Sequence, residues 1–214
     1  MLFRSRSGQA LQRTARKEPL ELANYSFERV RRFTLEQTAG HQGQRLSLTA
    51  AWLSSSTLLS CAMPNIPGLR SCYDKVGRLI YFGRMLDKIR LHAAGQLPPD
   101  YVENLGEHQF TLDGRCCRFL GVPYSEIKKS TLAGEPDEAV LNWAHTHGTP
   151  RTDEECNVWN RFIAKLGWRD ERSRVLPKRI QESGLTGKPI ETLIDHIEFD
   201  EGRDPVASRA WEKI

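Results

Sequence analysis

Residues 152–167, TDEECNVWNRFIAKLG, decide the fold class of this chain. Thr152 followed by Glu155 is a capping box, in which each side chain bonds the other residue's backbone N–H at the start of a helix. Behind the box, four apolar residues follow the i, i+3, i+4, i+7 spacing of one helix face, and Gly167 ends the pattern. Those four are Trp159, Phe162, Ile163 and Leu166. The stretch therefore predicts an amphipathic helix packed on a core.

Similar patterns on both sides of this stretch predict five to seven short helices. Residues 74–95 read either as one helix or as a shorter one starting near Gly83, and residues 100–112 as a loop or a short hairpin. Further helices are predicted over 115–120 with Asp113 as cap, from Ser125 to Gly134, from Pro136 to Gly148, over 169–183 with a break at Pro177, and from Pro189 to Asp200. The predicted fold is all-α, a single compact multi-helix domain over 63–214.

The positive charge of the 214-residue chain is confined to its first part. The net charge is +4, but residues 1–62 hold nine basic and four acidic groups, which leaves 63–214 with 22 basic and 23 acidic groups. We interpret 1–62 as a basic, serine-rich extension that is either poorly ordered or outside the native reading, in which case Met63 is the hypothetical start. A transit peptide, a membrane span and a lipoprotein signal fit its length and composition less well.

The composition excludes several classes of protein. A mean hydropathy of −0.53 and the lack of long apolar runs exclude a multi-span membrane protein. Five scattered cysteines, an odd number, argue against a secreted disulfide framework and for a reducing compartment. Phosphate-binding glycine loops, serine-hydrolase motifs and paired zinc cysteines are not found in the sequence.

The segment from Asp113 to Arg118 is the strongest candidate for a site. Arg115 and Arg118 flank Cys116 and Cys117, and positive charge near a helix start lowers the pKa of a thiol. One interpretation is therefore a thiol-dependent enzyme. The other is that the cysteines are core residues, since free cysteine is usually buried.

A binding site is the preferred interpretation of this segment. Arg115 would hold an anion, and Tyr101 and Asn104 from the preceding loop would orient it beside Asp113 and the two cysteines. The predicted function is a small soluble binding or protein-interaction module for an unknown small molecule or protein, with no cofactor. The thiol enzyme is the alternative. Nucleic-acid binding through residues 1–62 ranks third, and neither nucleic acid nor membrane is expected to bind 63–214.

Two histidines near a cysteine raise the question of a metal. His145, His147 and Cys156 have no further ligand at a recognisable spacing, so no metal site is assigned. The acidic residues between Asp195 and Asp204 lack calcium-loop spacing and are interpreted as a solvated helix end.

Charged residues three and four positions apart follow Gly83, namely Arg84, Asp87, Lys88, Arg90 and His92. This spacing is typical of an exposed helix face, which we predict here, with an anion site as the alternative.

Several motifs in a fixed order carry a family resemblance over about 67–203. They are GRMLDKIR (83–90), DY (100–101), NLG (104–106), DGRCCRFLGV (113–122), DE (137–138), VL (140–141), Trp143, WN (159–160), GWRDE (167–171) and DEGR (200–203). The region resembles a bacterial family known as domain of unknown function 5069. The resemblance implies a bacterial, cytoplasmic, single-domain protein. It implies no activity, cofactor or catalytic residue.

Overall fold

The computed structural model describes residues 65–209, so the predicted extension over 1–62 lies outside the described residues. Within 65–209 the chain is mainly helical, which confirms the predicted all-α class. The α-helices are α1 (Phe82–Ala93), α2 (Pro99–Val102), α3 (Leu112–Leu120), α4 (Tyr124–Leu132), α5 (Asp137–His147), α6 (Asp153–Ala164), α7 (Leu176–Glu182), α8 (Leu193–Asp200) and α9 (Pro205–Ser208), with a 3-10 helix over Glu171–Arg174.

A two-stranded hairpin precedes the first helix. Strands β1 (Lys75–Val76) and β2 (Leu79–Ile80) are antiparallel, and Gly77 makes the turn with a φ of 53°, which glycine adopts without strain. Of the two predictions for 74–95, the shorter helix is therefore confirmed. The hairpin considered for 100–112 is wrong, because α2 and turns occupy those residues.

Helix α6 packs on the core, as its sequence predicts. The Thr152–Glu155 capping box is present, and Trp159 and Ile163 are buried. Asn160 Oδ1 accepts a hydrogen bond from the backbone N–H of Ile80 at 3.0 Å, so α6 also satisfies the backbone of the hairpin. Phe162 is 42 % exposed, which corrects its assignment to the core.

Three helix starts differ from the prediction. Thr111, rather than Asp113, caps α3, because its Oγ1 accepts a hydrogen bond from the N–H of Gly114 at 3.0 Å. The residue before α4 is Pro123, without a side-chain cap, and Thr192 caps α8. Asp113 lies inside the first turn of α3 with its side chain fully buried.

Candidate anion-binding site

Three of the five charged side chains predicted on an exposed face of α1 are buried, which contradicts the prediction for them, whereas Arg90 is half-buried and His92 is exposed. Arg84, Asp87 and Lys88 all have little contact with solvent. Asp87 is bound by Arg70, whose Nε and Nη2 each donate to it at 2.6 Å. Because buried charges require partners, α1 is positioned by ion pairs as well as by apolar contacts.

Arg84 and the C-terminal acidic residues form one buried cluster. Glu201 accepts hydrogen bonds from Arg84 and Arg203 and from the hydroxyl of Tyr101 at 2.7 Å. Burial alone would raise the pKa of Glu201, but the adjacent Arg84 and these hydrogen bonds hold it below its usual value. Arg203 also donates to the fully buried Glu198 at 2.7 Å. The predicted solvated helix end is therefore wrong.

Lys88 joins two of the predicted site residues. Its Nζ donates to Asp113 Oδ1 at 2.7 Å and to the backbone carbonyl of Asn104 at 3.1 Å. Tyr81 also donates to Asp113 Oδ1, at 2.8 Å. Asp113 is thus held in a buried ion pair, and the exposed side chain of Asn104 points to the carbonyl of Asp100.

Arg115 lies in a groove of about 300 Å³ on the outer side of α3 and α6. We call this the Arg115 groove. Its lining residues are Arg115, Arg118, Phe119, Val158, Trp159 and Phe162. Six residues were predicted to share a cleft, and of these Arg115 alone lines the groove. Asp113 pairs with Lys88, Tyr101 bonds Glu201, and the side chain of Asn104 bonds the carbonyl of Asp100. Both cysteines lie in the core.

The walls of the Arg115 groove are aromatic. Phe119 stacks on Trp159 with ring centroids 4.8 Å apart, and the Arg115 guanidinium lies 5.6 Å from the ring centre of Phe162. The Nε atom of Arg115 is buried and has no hydrogen-bond partner among residues 65–209. The groove therefore presents an uncompensated cation beside aromatic surface.

The sequence contained only a weak signal for these groove residues. Phe162 follows the apolar spacing of α6 and was for that reason assigned inward, while Val158 has no motif to distinguish it. Both are exposed in the structure. Their place in the groove follows from the packing of α6 beside α3, which the sequence does not reveal.

A comparison with protein families identifies the group to which this fold belongs. The model for the domain of unknown function DUF5069 matches residues 66–203, well over half of the chain. The chain belongs to the DUF5069 family. This confirms the resemblance found in the motifs, and the match includes every residue of the Arg115 groove. No curated protein matches the chain.

The two adjacent cysteines of the DUF5069 domain are not activated thiols. Both are buried, and burial raises the pKa of Cys116 well above its ordinary value and that of Cys117 to about 12. The expectation that the flanking arginines would lower these values is wrong, because loss of water outweighs the nearby positive charges of Lys88 at Cys116 and of Arg118 at Cys117. The thiols are therefore protonated at neutral pH.

The two histidines of α5 lie in different surroundings. His147 stacks on Trp143 at 4.8 Å, and the pKa of His145 is lowered by burial and by the nearby Arg78. Cys156 is buried. Within 65–209 no group of three or more histidine, cysteine or acidic side chains is arranged to hold a metal ion.

Within residues 65–209, no helix has the length and apolar character needed to cross a bilayer.

Proposed function

We propose that this DUF5069 protein is a small binding module that holds an anionic ligand in the Arg115 groove. The proposal rests on the lack of a hydrogen-bond or ion-pair partner for Arg115 among the described residues. Its Nε is buried without an acceptor, and it forms no ion pair with a carboxylate among the described residues. A cationic side chain without an acceptor is costly where it is shielded from water, and an anion in the groove would offset the positive charge of the guanidinium.

The shape of the groove supports a small ligand. A volume of about 300 Å³ is at the lower end of small-molecule sites, which are mostly apolar with a few fixed polar groups. Here Phe119 and Trp159 supply the apolar surface, and Arg115 supplies the charge. Arginine suits this task because its planar guanidinium binds carboxylate or phosphate with two parallel hydrogen bonds.

The other interpretations receive less support. The raised pKa values of Cys116 and Cys117 argue against a thiol-dependent enzyme. Nucleic-acid binding through residues 1–62, and a native start at Met63, remain predictions outside the described residues. The described cysteines are free, which supports the proposed location in a reducing compartment such as the bacterial cytoplasm.

Thermal unfolding of the full chain in inorganic phosphate tests the proposal. A ligand that binds only the folded state raises Tm with its concentration, so Tm should rise with phosphate above its value in sodium chloride of equal ionic strength. The Arg115→Gln variant should lose this rise. The control Arg161→Gln, which removes an exposed cation from α6, should keep it.

Phosphate salts also stabilise proteins in general, and this effect acts equally on the wild type, Arg115→Gln and Arg161→Gln. The difference in the rise of Tm between these proteins therefore reports binding at Arg115. An equal rise of Tm in the Arg115→Gln variant would overturn the proposal.

A further inference from the structure

We infer that the ligand of the Arg115 groove carries a phosphoryl group joined to a flat aromatic ring, the chemistry of a nucleoside monophosphate. This inference rests on the proposed function and specifies the class of ligand.

Three guanidinium groups gather at the α3 end of the groove. Arg118 Nη2 donates to the carbonyl of Gln109 at 2.8 Å, and Arg172 Nη2 donates to the carbonyl of Phe110 at 3.2 Å. These two carbonyls are adjacent in the chain, so both arginines are fixed at one corner of the molecule. Arg115 lies one turn before Arg118 on the same helix.

The carboxylates near this corner offset its positive charge only in part. Among residues 65–209, none forms an ion pair with Arg115, Arg118 or Arg172. Asp170 uses its carboxylate to accept the backbone N–H groups of Gly167, Arg172 and Ser173. Burial, and then the positive charges of Arg115 and Arg179, lower the pKa of Arg172, and the nearby Asp170 and Glu171 offset this effect only in part.

The number of cations favours a phosphoryl group over a carboxylate. A phosphate monoester carries between one and two negative charges at neutral pH and three acceptor oxygens. Three guanidinium groups can satisfy these oxygens together, whereas a carboxylate offers two oxygens and a single charge.

Aromatic side chains beside this corner supply the surface for a ring. Phe110 is 50 % exposed and Phe162 is 42 % exposed, although apolar side chains of this size gain free energy from burial. Phe162 is also the ring that the Arg115 guanidinium approaches. A flat ring stacked on Phe162 would therefore place its phosphoryl group within reach of the arginines.

Calorimetric titration of the full chain with adenosine monophosphate, adenosine and inorganic phosphate tests the inference. Stacking on one aromatic side chain should make adenosine monophosphate bind about tenfold more tightly than phosphate, and adenosine should bind more weakly than the monophosphate. The Phe162→Leu variant should bind the monophosphate no better than phosphate, while its affinity for phosphate stays unchanged.

Loss of a cation should weaken both anions. Arg172→Gln and the exposed Arg118→Gln should each reduce the affinity for phosphate and for the monophosphate by about tenfold, because charge-assisted hydrogen bonds are lost. Arg174→Gln, an exposed cation in the same 3-10 helix, is the matched control and should change neither affinity. The circular dichroism of each variant should match that of the wild type.

The two proposals fail in different ways. If phosphate binds through Arg115 but the monophosphate binds no more tightly, the inference is overturned and the proposed function stands. If Arg118→Gln and Arg172→Gln both bind as the wild type does, the inference is also overturned. If no anion binds through Arg115, the proposed function itself fails.

Discussion

Replacing Glu201 by glutamine probes the buried charge cluster that joins α1 to the C-terminal helices. Glu201 is 1 % exposed and accepts hydrogen bonds from Arg84, Arg203 and Tyr101. Glutamine keeps the size of the side chain but removes the charge, so two arginines would face a neutral amide. Removing one partner of a buried ion pair costs about 3–5 kcal/mol, a large part of the ~5–15 kcal/mol by which domains are stable.

Urea unfolding at pH 7 measures this cost directly. The free energy of unfolding extrapolated to water should fall by about 3–5 kcal/mol, with an unchanged dependence on urea. The matched control is Glu182→Gln, which breaks the exposed pair of Glu182 with Lys178 and should cost less than about 1 kcal/mol. Equal losses in the two variants would refute the account, since they would mean that water already screens the cluster.

Three further predictions concern the thiols, an unpaired carboxyl and a helix cap. Cys116 and Cys117 should not react with iodoacetamide at neutral pH in the folded protein and should react after unfolding. Peptide mass spectrometry measures the modification. Fast modification of either cysteine in the native state would contradict their raised pKa values. Burial and the neighbouring Glu201 raise the pKa of Asp200 to about 6, so the charged carboxylate destabilises the fold at pH 7. The Asp200→Asn variant should therefore unfold at a higher temperature than the wild type at pH 7. This difference should vanish as the pH falls toward 4, where the wild-type carboxyl is protonated in the folded protein. Thr111→Ala should lower the free energy of unfolding by about 1 kcal/mol, whereas the change should be near zero for Ser125→Ala, since Ser125 makes no cap contact.

The helices that sequence could predict are those whose signals are local. The capping box at Thr152, the glycine at 121 and the break at Pro177 each act within one turn of the chain, and each lies where expected. The apolar spacing of residues 74–80 misled the longer prediction because alternate and helical positions coincide in so short a segment.

The buried charges could not be predicted, because their partners are distant in the chain. Arg84 pairs with Glu201 and Lys88 with Asp113, across 117 and 25 positions respectively. Charges at three and four spacing look the same on a solvated helix face and on one that meets acidic residues from elsewhere.

The candidate site was predicted only in part. Arg115 was predicted to hold an anion, which stays a prediction, and it is the one predicted site residue that lines the Arg115 groove. Of the two interpretations of the cysteines beside Arg115, the structure confirms the core residues; the sequence left both open, because the effect of flanking arginines on a thiol depends on burial, which the sequence does not reveal. The aromatic walls, Trp159 and Phe162 among them, were assigned wholly to the core, since a helical stripe alone does not tell which of its edges remains uncovered.

The side-chain Nε–Hε resonance of Arg115 tests the central claim most directly. It can be followed by nuclear magnetic resonance and assigned by its loss in an Arg115→Lys variant. When inorganic phosphate is added to the full chain, the account predicts a saturable shift of this resonance, because a bound anion fixes the guanidinium, while the resonance of the control Arg161 stays in place. A resonance of Arg115 that does not move at phosphate concentrations that shift other arginines would contradict the claim that the Arg115 groove binds anions.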